Sequence, residues 1–246
     1  MDASKRYLTP RQCVDFDKGR TRRSGKGNLA HILPAHSRVR KVAHHAALPF
    51  DEMPQFLAAL RSRGGMAARA LEFAALTAAR TGEVLGARWG EFDLAAKVWT
   101  VPADRMKAAR EHRVPLSEAA LAVLEQVRPL ALMRDGKPDS AAPVFPGPRR
   151  ARPMSNMTML MLLRQMKRND LTAHGFRSTF SDWAAERTAY PREVVEMALA
   201  HTIGNKVEAA YRRGDLFEKR RRLMADWASF CEAPPAGEVV SLRPTA

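Results

Sequence analysis

The sequence predicts a mainly helical domain carrying one small antiparallel β-sheet, an α+β fold. Three observations lead there. Apolar residues recur at helical spacing through most of the chain between Leu48 and Glu232. That period gives way between residues 97 and 117 to two short β-rich runs. The 246 residues are 46% hydrophobic, enough for one substantial core.

The first 47 residues hold eleven Lys or Arg against three Asp and have poor apolar periodicity, so they read as a basic arm or linker. From "LPFDEMPQFLAALRSRGG" the pattern turns helical. Asp51 is placed to cap this helix, Phe56, Leu57 and Leu60 form its stripe, and Gly64-Gly65 end it. "MAARALEFAALTAAR" carries Leu71, Phe73, Ala74 and Leu76; it is expected to run to Arg80 and stop at Thr81-Gly82. "EVLGARW" reads as another short helix. "KVWTVPA" (97–103) and "EHRVPLS" (111–117), separated by "DRMKAAR", read as a hairpin or three-stranded meander. Ser117 is expected to cap "EAALAVLEQV", whose apolar residues are Leu121, Val123 and Leu124.

"RDGKPDSAAPVFPGPRRARPMSN" reads as a loop, and "MTMLMLLRQMKR" as a helix whose methionines suit an adaptable core. "LTAHGFRSTFSDWAAERTAY", "PREVVEMALAH", "NKVEAAYRR" and "DLFEKRRRLMADWASF" complete a run of short helices. The domain is bounded at 48–232, with a disordered tail over 233–246.

The net charge of +15 calls for a partner of opposite sign. Nucleic acid is the first candidate and an anionic membrane surface the second. No apolar run approaches the roughly 18 residues that span a bilayer, and "MDASKRYLTPRQ" lacks the apolar centre of a signal peptide. Cys13 and Cys231 make neither a disulfide framework nor a cysteine zinc site, and His44 and His45 lack partners at ligand spacing. A cytosolic protein is the simplest reading.

Several polar residues stand out within this frame. Thr172 can cap the helix over 172–187, on which Phe176, Phe180, Trp183 and Ala184 share one face. His174, Arg177 and Ser181 share nearly the opposite one, which by itself reads as a solvated polar face. Arg80 ends an apolar helix, where the dipole favours a cation. His201 ends another helix, as a capping histidine would. Tyr211 lies on the next, one of three tyrosines in the chain.

Together, "ARTGE", Lys107 between the two strands, "HGFR", "LAH" and "AAYRR" make a combination that resembles the catalytic domain of tyrosine recombinases, the phage-integrase family. "HHAALPF", "ALTAARTGEVLGARW", "HRVPLS", "HGFRSTFSDWAAERT", "EMALAH" and "VEAAYRRGDLFEKRRRLMADWA" are similar to its P4-like group, the integrases of prophages and genomic islands. The likeness runs over residues 28–232.

The resemblance implies the recombinase catalytic fold and a set of roles. Tyr211 attacks a DNA phosphodiester to give a 3′-phosphotyrosyl link. Arg80 and Arg177 clamp the non-bridging oxygens, His201 donates a further hydrogen bond, Lys107 protonates the leaving 5′-oxygen, and His174 assists proton transfer or orients the phosphate. Glu83 is expected to be structural, pairing near Arg80. No metal, cofactor or ATP is implied. The implied partners are double-stranded attachment sites and further copies of the chain, as a tetramer on DNA, in a bacterial, nucleoid-associated, cytoplasmic setting with no membrane. Arg212, Arg213 and the run Lys219-Arg220-Arg221-Arg222 are candidate phosphate contacts, and the stripe of Leu216, Phe217, Leu223, Met224 and Trp227 is expected to dock on a neighbouring protomer or pack in cis. Full-length relatives carry arm-binding and core-binding domains ahead of this one, with "CVDFDKGRTRRSGKGN" a candidate remnant of the second. The expectation is weak DNA binding and poor complete recombination. A non-recombining DNA-binding remnant and a type IB topoisomerase-like enzyme remain the alternatives.

Overall fold

The structure is a computed structural model that describes residues 46–148, 152–201 and 214–233. The chain divides after His44, and every described residue lies in the second unit. Tyr211, Arg212 and Arg213, the basic arm up to residue 45, and the tail from residue 234 lie outside the described residues.

Helix α1 (Met53–Arg61) buries Met53, Phe56, Leu57 and Leu60, the stripe its sequence marks. Asp51 does not cap it. Residues Phe50–Glu52 form a 3-10 turn ahead of the helix, and Asp51 faces Arg187 at 2.9 Å. Pro54 lies in the first turn of α1, at a position whose N–H would have no helical acceptor.

Helix α2 (Met66–Thr77) is apolar nearly all round and so lies at the centre. It touches α1, α3 (Thr81–Leu85), α4 (Glu118–Val127), α5 (Thr158–Gln165), α6 (Gly175–Arg187) and α8 (Phe217–Glu232). Its one buried carboxylate, Glu72, is neutralised by Arg61 at 2.5 Å and Arg69 at 2.9 Å.

The end of α2 differs from the sequence expectation. The helix stops at Thr77, and Ala78 turns into the left-handed region at φ 50°. Thr81-Gly82 is then the first turn of α3, not a stop. Glu83 folds back so that Oε2 accepts the Arg80 backbone N–H at 2.9 Å. A carboxylate at the third helical position satisfies an orphan donor in this way, so "TGE" is a start signal.

Three short strands follow: β1 (Phe92–Asp93), β2 (Val98–Val101) and β3 (His112–Pro115), antiparallel in that order. Trp99 pairs with Val114 and Val101 with His112. The two-residue period therefore puts Trp99, Val101, Val114 and His112 on the core face and turns Arg113 outward. Trp99 stacks on Phe92 at 5.5 Å and meets Phe73 of α2 at the same separation.

Ser117 caps α4 as expected, its Oγ accepting from Ala120 N at 3.3 Å. The long loop after α4 holds a second hairpin, β4 (Met133–Arg134) with β5 (Lys137–Pro138). Asp135 and Gly136 both take positive φ there, the two-residue turn that suits strand twist. The same loop returns Val144 and Phe145 to the core, with Phe145 5.5 Å from Phe73. On α5 only Met159 of the helix's methionines is buried, while Met161 is 47% exposed, so that methionine run is only half core.

After α7 (Arg192–Ala198), α8 closes the core by burying Leu223, Met224, Trp227, Ala228 and Cys231. Trp227 Nε1 donates to Ala75 O at 2.9 Å, and its ring meets Phe180 at 5.6 Å and Trp183 at 5.0 Å. The apolar stripe of α8 thus packs in cis, on α2 and α6. Among the described residues no helix is long and apolar enough to cross a membrane.

Candidate active site

Five of the six expected catalytic residues are described, and all five line one open cleft of about 600 Å³. Arg80 comes from the junction of α2 and α3, and Lys107 from the β2–β3 connection. His174 and Arg177 come from the start of α6, and His201 from the end of α7. Glu196 of α7 also lines the cleft.

The two arginines are held by the ends of helices. Arg177 Nη1 donates to Ala78 O, where α2 turns left-handed, and Nη2 donates to Leu199 O at 2.5 Å, just past α7. Arg80 Nη2 reaches Leu199 O at 3.4 Å and Ala200 O at 3.1 Å. The last carbonyls of a helix lack intrahelical partners and carry partial negative charge, so each guanidinium caps a C-terminus. The dipole argument made for Arg80 holds, but at α7 and not at its own helix. Glu83 Oε1 completes its support at 2.7 Å from Nη1, as the structural role read from the sequence anticipates.

Arg177 corrects the helical-face reading. Phe176, Phe180, Trp183 and Ala184 are buried as expected, but Arg177 is only 5% exposed. The face opposite the apolar stripe is covered by α7 and the end of α2, not by water. His174, one turn earlier, is exposed. Burial, aided by the nearby Arg80 charge, lowers Arg177 from its usual value to about 10. It therefore still carries its proton at neutral pH. The Thr172 hydroxyl accepts Gly175 N–H at 3.0 Å, and α6 begins three residues later than its sequence suggests.

Lys107 is exposed on a connection that is itself anchored. Arg105, two residues before it, donates to Glu83 O at 3.1 Å and pairs with Glu91, whose Oε2 also accepts Trp99 Nε1 at 2.9 Å. The turn bearing the lysine is thereby tied to the helix that follows Arg80.

His112, on β3, lies near the charges of Arg220, Glu83 and Arg80. Burial first, and then the charges of Arg220 and Arg80, lower it from 6.5 to about 4. An unfolded histidine titrates at about 6.5, so on acidification the unfolded chain takes up the proton first. The stability from neutral His112 is complete above about pH 6.5 and lost as pH falls towards 4. Melting temperature is expected to decline across that window, and His112→Gln to decline less steeply. Parallel slopes for the two proteins would contradict this.

His201 is held by the way α7 ends. Ala200 turns left-handed at φ 49°, Ala200 N donates to Met197 O at 3.2 Å, and His201 N donates to Glu196 O at 2.9 Å. This paired closure of a helix C-terminus folds the third residue past the end over the third-last helical residue. The side chains meet accordingly, with His201 Nδ1 2.7 Å from Glu196 Oε2. The other ring nitrogen, Nε2, lies 3.3 Å from Arg177 Nη2.

Among the expected phosphate contacts, Lys219 is exposed. Arg220 is a correction: it is 2% exposed, donating to Asp215 O at 2.8 Å, Arg113 O at 2.6 Å and Asp215 Oδ2 at 2.8 Å. Of the run Lys219-Arg220-Arg221-Arg222, Arg220 is the buried one, bridging α8 to β3. Its charge is spent inside the fold. Sequence reasoning missed Glu196, Arg105 and Glu91. A carboxylate five residues before a histidine is not a helical neighbour, and alanine in place of glycine at the left-handed position hides the closure.

The family model described as "Phage integrase family" matches residues 46–216. The chain belongs to the phage integrase family. Similar curated proteins include the prophage integrase IntA of Escherichia coli (strain K12), 37% identical over 196 residues, which cover 77% of this chain and 45% of that protein. The integrase of Enterobacteria phage P4 is 32% identical over 211 residues, covering 78% of this chain and 46% of that one. The chain thus spans about half the length of these relatives. The fold is shared with the solved integrase of mycobacterium phage Brujita, at a TM-score of 0.53 and 18% identity, over 76% of this chain and 58% of that one.

Proposed function

We propose that this domain is the catalytic unit of a site-specific DNA recombinase and that Tyr211 is its nucleophile. The observation that carries the reading is the convergence of Arg80, Lys107, His174, Arg177 and His201, from four separate stretches of chain, on one open cleft. Two guanidiniums, a lysine and two imidazoles around one space make a receptor for a phosphodiester.

The chemistry asks for this set. A phenol with a pKa of about 10 is a weak nucleophile at neutral pH and must be positioned and relieved of its proton. The attacked phosphate gains negative charge in its pentacoordinate transition state. Arg80 and Arg177, already fixed on helix-end carbonyls, meet that charge without reorganising. Tyr211 Oη forms the new bond to phosphorus as the bond to the 5′-oxygen breaks. Lys107 gives its proton to that oxygen, leaving a 3′-phosphotyrosyl link and a free 5′-hydroxyl. His174 assists the proton transfer or orients the phosphate. Attack by a 5′-hydroxyl from another strand reverses the step. The phosphotyrosyl bond keeps the energy of the broken linkage, so the cycle needs no ATP. The substrates are double-stranded attachment sites, held by a tetramer of the chain on DNA.

The test uses a nicked suicide duplex bearing the attachment site, identified from the ends of the genomic element that carries the gene. Wild type is expected to form a covalent adduct on a denaturing gel, and Tyr211→Phe none. A retarded complex with no adduct from the wild type would sink catalysis and leave a DNA-binding remnant.

A further inference from the structure

We propose that Glu196 is a positioning residue for His201, fixing which ring nitrogen carries the proton and so what His201 offers to a phosphate. The proposal rests on the recombinase reading for its consequence, but its structural core stands apart from that reading.

The tautomer follows from the partners. A guanidinium has only N–H donors, so His201 Nε2, 3.3 Å from Arg177 Nη2, can only be an acceptor there. That places the ring proton on Nδ1, which faces Glu196 Oε2 at 2.7 Å. A carboxylate accepts and does not donate when ionised, so both contacts require the same form. The helix end enforces the pairing, since the left-handed Ala200 and the backbone bond from His201 N to Glu196 O bring the two side chains over one another. Among the described residues, the second oxygen of Glu196 meets Arg192 Nε at 3.4 Å, on a side chain 91% exposed. Its other oxygen, Oε2, is the one that meets the histidine.

This has a consequence for the site. With Nδ1–H held by Glu196, Nε2 keeps its lone pair towards the Arg177 guanidinium. It can donate to a phosphate oxygen only when the ring is doubly protonated, and Glu196 is then the counter-charge of that imidazolium. Without Glu196 only the Arg177 contact holds the ring and favours Nδ1, so rotation and the Nε2 tautomer become accessible. A carboxylate behind an imidazole is a recurring means of fixing both orientation and tautomer.

The test has two arms. Ring ¹⁵N chemical shifts of His201 in the free chain, at a pH where the ring is neutral, read the tautomer directly. Wild type and Glu196→Gln, whose amide oxygen still accepts from Nδ1, are expected to show protonated Nδ1, and Glu196→Ala a mixture of the two tautomers, since only the Arg177 contact then favours Nδ1. Single-turnover adduct formation is expected to fall about 10- to 100-fold in Glu196→Ala, with DNA affinity unchanged. Glu196→Gln is expected to recover most of the loss, and Arg192→Ala to behave as wild type. A wild-type ring protonated at Nε2, or a Glu196→Ala rate within twofold of wild type, overturns the proposal. If no wild-type adduct forms but the ring shifts behave as stated, the recombinase reading fails while the assigned tautomer stands.

Discussion

Replacing Arg177 with alanine is expected to lower single-turnover adduct formation by on the order of 10³-fold, in line with losing a charged donor to a phosphoryl transition state. The size follows from where the guanidinium sits. It is only 5% exposed, in a poorly solvated site where a charge aimed at developing negative charge counts for more than in water. Its other hydrogen bonds, to Ala78 O, Leu199 O and the ring of His201, hold it at the required place beforehand. The same contacts add a structural cost. Alanine leaves Ala78 O without the Arg177 donor and Leu199 O with the longer 3.4 Å contact from Arg80, and is expected to destabilise the fold by about 1–3 kcal/mol. Arg177→Lys separates the two effects. A lysine keeps the charge but cannot span both carbonyls and still present a planar fork to phosphate. It is expected to fold with a modest loss in melting temperature yet cleave at least about 100-fold more slowly than wild type. Adduct formation by Arg177→Lys within tenfold of wild type would mean that Arg177 serves the fold alone.

Gly175→Ala is expected to destabilise the domain by about 3 kcal/mol or more, lowering the melting temperature by roughly 6–12 °C in a domain of this size. Glycine at the start of a helix would ordinarily be improved by alanine, by about 0.5–1 kcal/mol, so even the sign of the effect is diagnostic. The reason lies across the chain. A β-carbon at Gly175 would stand 2.1 Å from Ala46 O and 3.1 Å from Ala47 Cα. Both are backbone atoms, and no side chain can swing away to make room. The crossing segment is itself anchored, by Leu48 buried at 2% exposure and by its carbonyl, which accepts from Thr179 Oγ1 at 2.7 Å. Either that anchor gives way or the first turn of α6 moves, and His174 and Arg177 sit on that turn. Thermal or urea unfolding reads the stability. A Gly175→Ala protein as stable as wild type would show that the entering segment does not bear on α6.

The strands at Val98–Val101 and His112–Pro115, the Ser117 cap and the core stripe of Phe56, Leu57 and Leu60 follow from local rules that act within a few residues. The candidate catalytic set was also legible, because an ordered combination of residue types over a long stretch is specific where each alone is not. What failed were inferences that treat one element as if water surrounded it. The turn side of α6 seemed open to solvent until α7 and the end of α2 covered Arg177. Arg220 belonged to a basic run until α8 turned it against Asp215 and the Arg113 carbonyl.

By itself, then, the sequence determined most of the described elements, the family and five residues that the structure brings to one cleft, since periodicity, caps and motif order are written along the chain. Only the tertiary structure decided how those residues are held. Ala78 and Ala200 adopt left-handed geometry that alanine avoids when isolated, at a cost of about 1–2 kcal/mol each. Packing overrides that preference, and in doing so it turns two helix ends towards Arg80 and Arg177 and folds His201 onto Glu196. No local rule predicts that choice, because the energy that offsets it comes from partners more than twenty residues away.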